Sequence, residues 1–226
     1  MVALILADGD VPARARLETA WPGWDDGVDL VIAADGGARH AEPLGVDLDL
    51  WVGDGDSLGD EGIAALAAEG VPIERSPADK DQTDLELAVD AALARGAESL
   101  VIVGALGGER VDHALANVAL LARVDLAGRS VVLLDGRARL SLVRAPDSAG
   151  TPVTFVLAGQ PGTTVSLLPI GGDVAGVTTD GLVYPLDDEP LLLGSARGVS
   201  NVMARPGASV TVRRGLLLVI GSPATL

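Results

Sequence analysis

Residues 29–37 read DLVIAADGG, an apolar run without polar alternation that ends in an acid and two glycines. Consecutive apolar positions in so short a run indicate a strand covered on both faces, as in a parallel sheet flanked by helices. The texture recurs outward in both directions, in VALILA (2–7), LDLWVG (48–53), VPIE (71–74), SLVIVGA (99–105) and SVVLLD (130–135). Between these runs, DEGIAALAAEG (60–70) and TDLELAVDAALARG (83–96) place apolar residues at helical spacing. In the second, Leu85, Ala88, Val89, Ala92 and Leu93 form one stripe, and Gly96 stands where a C-terminal cap belongs. Alternating strand and helix predict an open α/β sheet with right-handed crossovers over residues 1–137.

Beyond that point the texture changes. RLSLV (139–143), VTFVLA (153–158), TTVSLLPI (163–170), GLVYPL (181–186), LLLGS (191–195), ASVTVR (208–213) and LLLVIG (216–221) are short and separated by Gly, Pro, Asp and Ser. Turn residues at this spacing, with no helical stripe, predict a small all-β sandwich or flattened barrel over residues 138–226.

Composition narrows the function. The chain has no cysteine, which excludes disulfides, thiolate metal sites and thiol nucleophiles and suits a reducing compartment. A formal charge of -16 excludes broad contact with a nucleic-acid backbone and favours a small cation or a metal-bound anion. The opening MVALILADGDVP is too short and too soon acidic for a signal peptide, and no apolar run is long enough to span a membrane. A soluble, cytoplasmic protein with no membrane partner is therefore expected. Aromatic residues are only 2% of the chain, so its core is expected to be mostly Leu, Val and Ala.

Ligands of open parallel sheets bind at the carboxyl ends of the strands. There the sequence places Asp35-Gly36-Gly37, then Asp54-Gly55-Asp56-Ser57, then the loop Leu106-Gly107-Gly108-Glu109-Arg110. A D-x-D pair at such an edge suits magnesium, which takes one or two carboxylates, keeps positions for water and phosphate, and offsets the repulsion between the acids. D-G-D-S is also a good turn sequence, and Gly55 serves either a close phosphate approach or the turn alone. In SPADKDQTDLELAV (76–89), Asp81 or Thr83 can cap the helix and Asp84 can complement its dipole. Capping leaves unexplained why Asp79, Asp81 and Asp84 surround Lys80, the only lysine in the chain. A functional role has Asp84 completing a metal shell and Lys80 meeting a phosphate. The glycine-rich loop before VDHALANV can hold phosphate oxygens on its amides, with Arg110 adding paired hydrogen bonds. Its spacing is not G-x-G-x-x-G, so dinucleotide binding gains no support. His113 is expected to be a structural helix-start residue, and His40 a surface or packing residue.

Taken together, ADGGARH (34–40), GDGDS (53–57), DKDQTDLELAV (79–89), GGERVDHALAN (107–117), GLVYPL (181–186) and GVSN (198–201) resemble the thiamine pyrophosphokinase family. The resemblance implies an α/β domain that binds ATP and magnesium, a β-rich domain that binds thiamine and dimerises, and a homodimer with thiamine near the subunit interface. It also implies pyrophosphoryl transfer from ATP to the thiamine hydroxyl, releasing AMP. Carried over by position, Asp35, Asp54, Asp56 and Asp84 match the family's catalytic acids, with magnesium on Asp54, Asp56 and Asp84. Gly36, Gly37, Ser57, Lys80, Asp81, Thr83, Arg110, Asp112 and His113 match its nucleotide side, and Ser200 with Asn201 match its thiamine side.

Competing possibilities are a related pyrophosphokinase acting on a pterin alcohol, an aspartyl phosphatase, and a catalytically silent nucleotide-binding module. A phosphatase nucleophile belongs on a strand near the start of its domain, whereas D-G-D-S follows the third strand. Asp54, Asp56, Lys80 and Asp84 occurring together argue against a silent module.

Overall fold

The computed structural model describes residues 1–146 and 150–224. The chain divides into two compact units, Met1–Gly136 and Arg137–Leu226.

The first unit holds six strands: β1 (Val2–Leu6), β2 (Val28–Ala34), β3 (Leu50–Gly53), β4 (Ile73–Arg75), β5 (Ser99–Val103) and β6 (Ser130–Leu134). All are parallel, in the order β4-β3-β2-β1-β5-β6. Each coincides with an apolar run read from the sequence. From β1 the chain builds outward on one side to β4, then returns to place β5 on the other side of β1. The loops after β1 and β5 therefore leave in opposite directions and open a crevice, the topological switch point of such sheets.

The unit's helices are α1 (Arg14–Ala20), α2 (Ala41–Leu44), α3 (Gly59–Ala68), α4 (Asp84–Ala94) and α5 (Val111–Leu120). The stripe of α4 packs on β1, β2 and β3 with Leu85, Ala88, Val89 and Ala92 buried. Side chains alternate across a strand, so the opposite face presents Leu4, Leu6, Val31 and Val103 to Leu17, Trp21 and Leu44. Ala33, Trp51 and Ile63 form a further cluster with Leu58 and Leu66. This core is aliphatic as expected, but all three tryptophans are buried in it. Helix α4 ends in a Schellman motif, in which Gly96 (φ 86°) donates to the Leu93 carbonyl and Ala97 to that of Ala92. The short α1 and α2, and the 3-10 turn Asp35–His40, carry too few turns to leave a periodic signal, and sequence periodicity passed over them.

The second unit contains β7 (Arg139–Ala145), β8 (Val153–Val156), β9 (Thr164–Asp180), β10 (Glu189–Leu191), β11 (Asn201–Val202), β12 (Ser209–Val212) and β13 (Arg214–Ser222). These strands are antiparallel in the order β7-β13-β9-β12-β8, with β10 and β11 also on β9. Two sequence expectations need correction here. TTVSLLPI is not a short strand but the first half of β9, which runs through Gly171 and Gly172 to pair with β13 first and β12 last. A register shift opposite Gly171–Val174 lets this one strand bend from one sheet into the other. GLVYPL and most of LLLGS are turns and bends rather than strands. In the first of these Leu182 and Leu186 are buried while Val183 and Tyr184 face solvent. Val143, Val165, Leu167, Val177, Val210 and Leu217 meet in one sandwich core.

Candidate active site

A cavity of about 380 Å³ opens at the carboxyl edge of the parallel sheet, within the range of small-ligand sites. It is lined by Ala7, Asp8 and Gly9 after β1, Ala34 and Asp35 after β2, and Asp56 and Ser57 after β3. Thr83, Asp84 and Leu85 at the start of α4 line it too, as do Gly104, Gly107, Gly108, Glu109 and Arg110 after β5, and His113 and Asn117 of α5.

Asp35 is fixed from three directions. It is only 2% exposed and adopts φ 42°, a left-handed conformation that Asp tolerates better than most residues but still at a cost. Its Oδ2 accepts the Ser57 amide and its Oδ1 the Leu58 amide, both at 3.1 Å. Its carbonyl oxygen accepts the indole N–H of the fully buried Trp51 at 3.0 Å. Burial pushes its pKa up from the ordinary 3.8 to about 6; the Asp56 and Asp84 carboxylates add to this, and the two amides act against it.

That shift makes a stability prediction. A carboxyl whose pKa is raised by folding stabilises the fold fully below about pH 4 and loses that contribution as pH rises through about 6. Relative to Asp35→Asn, the wild type without added metal should therefore lose on the order of 2–3 kcal/mol between those limits. Urea melts of both proteins across that range measure it. A difference independent of pH would mean that Asp35 is ionised throughout.

Asp54 answers the repulsion problem of D-G-D by taking a backbone amide and an ammonium as its partners. Its Oδ1 accepts the Asp56 amide at 3.0 Å, and its Oδ2 takes the Lys80 ammonium at 2.8 Å. That lysine bond holds the Asp54 carboxyl below the usual carboxylate range. Asp56 stays exposed, where its Oδ1 accepts the Ser57 hydroxyl at 3.2 Å. Gly55 has φ 88°, and a Cβ there would lie 2.5 Å from Ile63 Cδ1. It therefore serves the turn and its packing on α3.

Asp84 opens α4 and binds the same lysine at 2.7 Å. Carboxylate oxygens of Asp35, Asp54 and Asp84 lie within 4.8 Å of one another, a spacing that would let one hard cation touch all three. Asp56, read with Asp54 and Asp84 as a metal ligand, lines the cavity without belonging to that group of three. Thr83 is the N-cap of α4 in a full capping box: its hydroxyl accepts the Glu86 amide at 3.2 Å, and Glu86 Oε2 accepts the Thr83 amide at 2.9 Å. Asp81 is exposed on the preceding loop.

Arg110 and Asp112 form a two-pronged pair at 2.9 and 2.6 Å. This exposed pair holds the Asp112 carboxyl well below its usual range. His113 sits on the exposed first turn of α5 and faces the cavity. Gly36 and Gly37 are buried behind the site, pressed against Asp8 and the Leu6 carbonyl. His40 is half-buried with Nε2 lacking a partner, and burial lowers its pKa.

Ser200 and Asn201 lie in the second unit. Ser200 has φ 61°. The Asn201 amide clasps the backbone of Tyr184, accepting its N–H at 3.0 Å and donating to its carbonyl at 2.6 Å. Asn201 thus shapes the GLVYPL turn.

Sequence reasoning missed Asp8, Gly9, Arg39 and Asn117. Arg39 ties two loops together, donating to Asp8 at 2.5 Å and to the Ser57 carbonyl at 3.0 Å. Asn117 donates to the Ala105 carbonyl at 2.9 Å and so braces the glycine loop. A signal for the first of these existed: ADGD (7–10) ends the first apolar run with the same D-G-D spelling as residues 54–56.

The family model described as "Thiamin pyrophosphokinase, catalytic domain" matches residues 24–133, and "Thiamin pyrophosphokinase, vitamin B1 binding domain" matches residues 153–217. The chain belongs to the thiamin pyrophosphokinase family. Thiamine pyrophosphokinase of Bacillus subtilis (strain 168) is 27% identical over 214 residues, covering 94% of this chain and 92% of the relative. The crystal structure of thiamine pyrophosphokinase from Bacillus subtilis superposes with a TM-score of 0.80 at 25% identity, covering 99% of each chain. That of thiamin pyrophosphokinase from Geobacillus thermodenitrificans gives 0.78 at 25% identity, covering 98% of this chain and 97% of the other. The cavity lining from Ala34 to Asn117 falls in the region matched by the thiamin pyrophosphokinase catalytic model, with Ala7, Asp8 and Gly9 ahead of it, and the Asn201 clasp lies in the region matched by the vitamin B1 model. No helix among the described residues is long and apolar enough to cross a membrane.

Proposed function

We propose that this protein transfers the pyrophosphoryl group of ATP to the hydroxyl of thiamine, giving thiamine diphosphate and AMP. The observation that carries this within the family is the gathering of Asp35, Asp54 and Asp84 beside a glycine-rich loop at the sheet's switch point. Both family matches favour thiamine over a pterin alcohol.

In the transfer, the thiamine hydroxyl oxygen forms a bond to the β-phosphorus and the bond from that phosphorus to the bridging oxygen breaks. AMP leaves with the bridging oxygen, and the hydroxyl proton goes to a carboxylate. Asp35 and Asp84, which both line the cavity, are the two carboxylates placed for that last task. Asp54 and Asp84, with Asp35 beside them, fit magnesium: all donors are carboxylate oxygens, and the Lys80 ammonium already nests between two of them. Asp56 faces the same cavity from the exposed side of the loop. When bound, magnesium would neutralise charge on the phosphate oxygens. Backbone amides of the glycine loop and Arg110 would hold the triphosphate in line. Thiamine is a cation, so an acidic site and a chain charge of -16 favour it. Ser200 and the turn shaped by Asn201 would contact thiamine.

Purified protein with magnesium, ATP and thiamine should yield thiamine diphosphate and AMP in equal amounts, measured by chromatography. Production of ADP, or turnover with a pterin alcohol and none with thiamine, would overturn the assignment. We further propose a homodimer. Val183, Tyr184, Leu192, Leu193 and Val199 are exposed apolar residues of the second unit, which a second copy would cover. Light scattering should give twice the chain mass of 22.8 kDa; a monomer at micromolar concentration would rule this out.

A further inference from the structure

An ammonium has three N–H donors, and in Lys80 all three are committed: to Asp54 Oδ2 at 2.8 Å, Asp84 Oδ1 at 2.7 Å and Ser76 Oγ at 3.0 Å. The lysine side chain is only 14% exposed, and its two acidic partners are 12% and 26% exposed. These partners are two of the three carboxylates gathered closely enough to hold a divalent ion. Lysine and metal therefore compete for the same carboxylates. A divalent cation entering alone would be placed against a positive charge a few ångströms away, in a partly desolvated site where such repulsion is strong.

A triphosphate changes this balance, because it brings negative charge and fresh acceptors for the ammonium. Lys80 is free to use them: it lies on the irregular segment between β4, which ends at Arg75, and α4, which starts at Asp84. It can swing without breaking a helix or a strand. Building on the functional assignment above, we infer that Lys80 is a resident counter-ion, exchanged from Asp54 and Asp84 onto phosphate oxygens when metal and triphosphate arrive together. The acidic cluster thus rejects free divalent ions and takes its metal only with the nucleotide.

Because the chain has a single lysine, biosynthetic labelling with 13Cε-lysine gives one side-chain signal from an otherwise unaltered protein. Magnesium alone should leave that signal in place, and magnesium with α,β-methylene-ATP, in which the bond to be broken is blocked, should shift it. A full shift with magnesium alone, or no shift with both, overturns the exchange. In calorimetry without nucleotide, Lys80→Met should bind Mn2+ at least about tenfold more tightly than wild type, since one repelling charge is gone. Equal affinities would leave Lys80 as a structural tie only. The AMP assay on unlabelled wild type separates the two ideas. AMP formation with a static lysine signal defeats the exchange alone, whereas absence of AMP defeats the functional assignment itself.

Discussion

Asp84→Asn is expected to lower turnover at saturating ATP and thiamine by about a hundredfold to a thousandfold, with little change in melting temperature. Asparagine retains the shape and one acceptor oxygen but removes a full charge from the group formed with Asp35 and Asp54. Groups aimed at charge that develops in phosphoryl transfer have effects of that size when removed. The fold should tolerate the change because α4 keeps its capping box at Thr83 and Glu86, and Asp84 remains 26% exposed. Asp54→Asn should behave alike. Asp56→Asn is the informative comparison: the sequence groups Asp56 with Asp54 as a ligand, whereas in the tertiary structure it lines the cavity, exposed and outside the group formed by Asp35, Asp54 and Asp84. A smaller loss for Asp56 than for Asp84 is expected from steady-state kinetics. Full activity in Asp84→Asn would remove the carboxylate group from the mechanism, and loss of folding would make the acid structural.

Gly37→Ala is expected to cost about 3–5 kcal/mol or to prevent soluble expression. A Cβ at residue 37 would collide with the carbonyl oxygen of Leu6 and sit 2.7 Å from its carbonyl carbon and 3.1 Å from that of Ala7. These are backbone atoms at the end of the central strand β1, so no side-chain rotamer can relieve the clash. Gly45→Ala is the control, since Gly45 has φ 65° but nothing within 4 Å of the added atom. It should lose only about 1 kcal/mol from backbone strain. Chemical denaturation of both variants measures the contrast, and similar small losses would mean that β1 and the Asp35 turn have room to separate.

How much could be read beforehand follows from the reach of each interaction. A strand buried on both faces writes its burial into adjacent residues, so the six parallel strands were legible run by run, as was α4 from its stripe and its Gly96 cap. The 3-10 turn that carries Asp35 was not legible. Its geometry depends on Trp51 and on the amides of Ser57 and Leu58, 16 to 23 residues away. The bend of β9 was equally hidden, because a register shift belongs to the pairing of two strands and neither strand alone records it.

For the site itself, the sequence by itself determined which acids stand at strand ends, that the chain holds one lysine, and the motif order that matches the family. Identity and spacing along one segment are enough for those statements. Only the tertiary structure decided which acids converge. It put Asp54 and Asp84, from separate elements, on one ammonium and drew Asp35 to them, while Asp56 lines the same cavity from an exposed position outside that group of three. Distant loops of a parallel sheet converge at its carboxyl edge. Nearness in space is set there by strand order, which no local stretch of sequence contains.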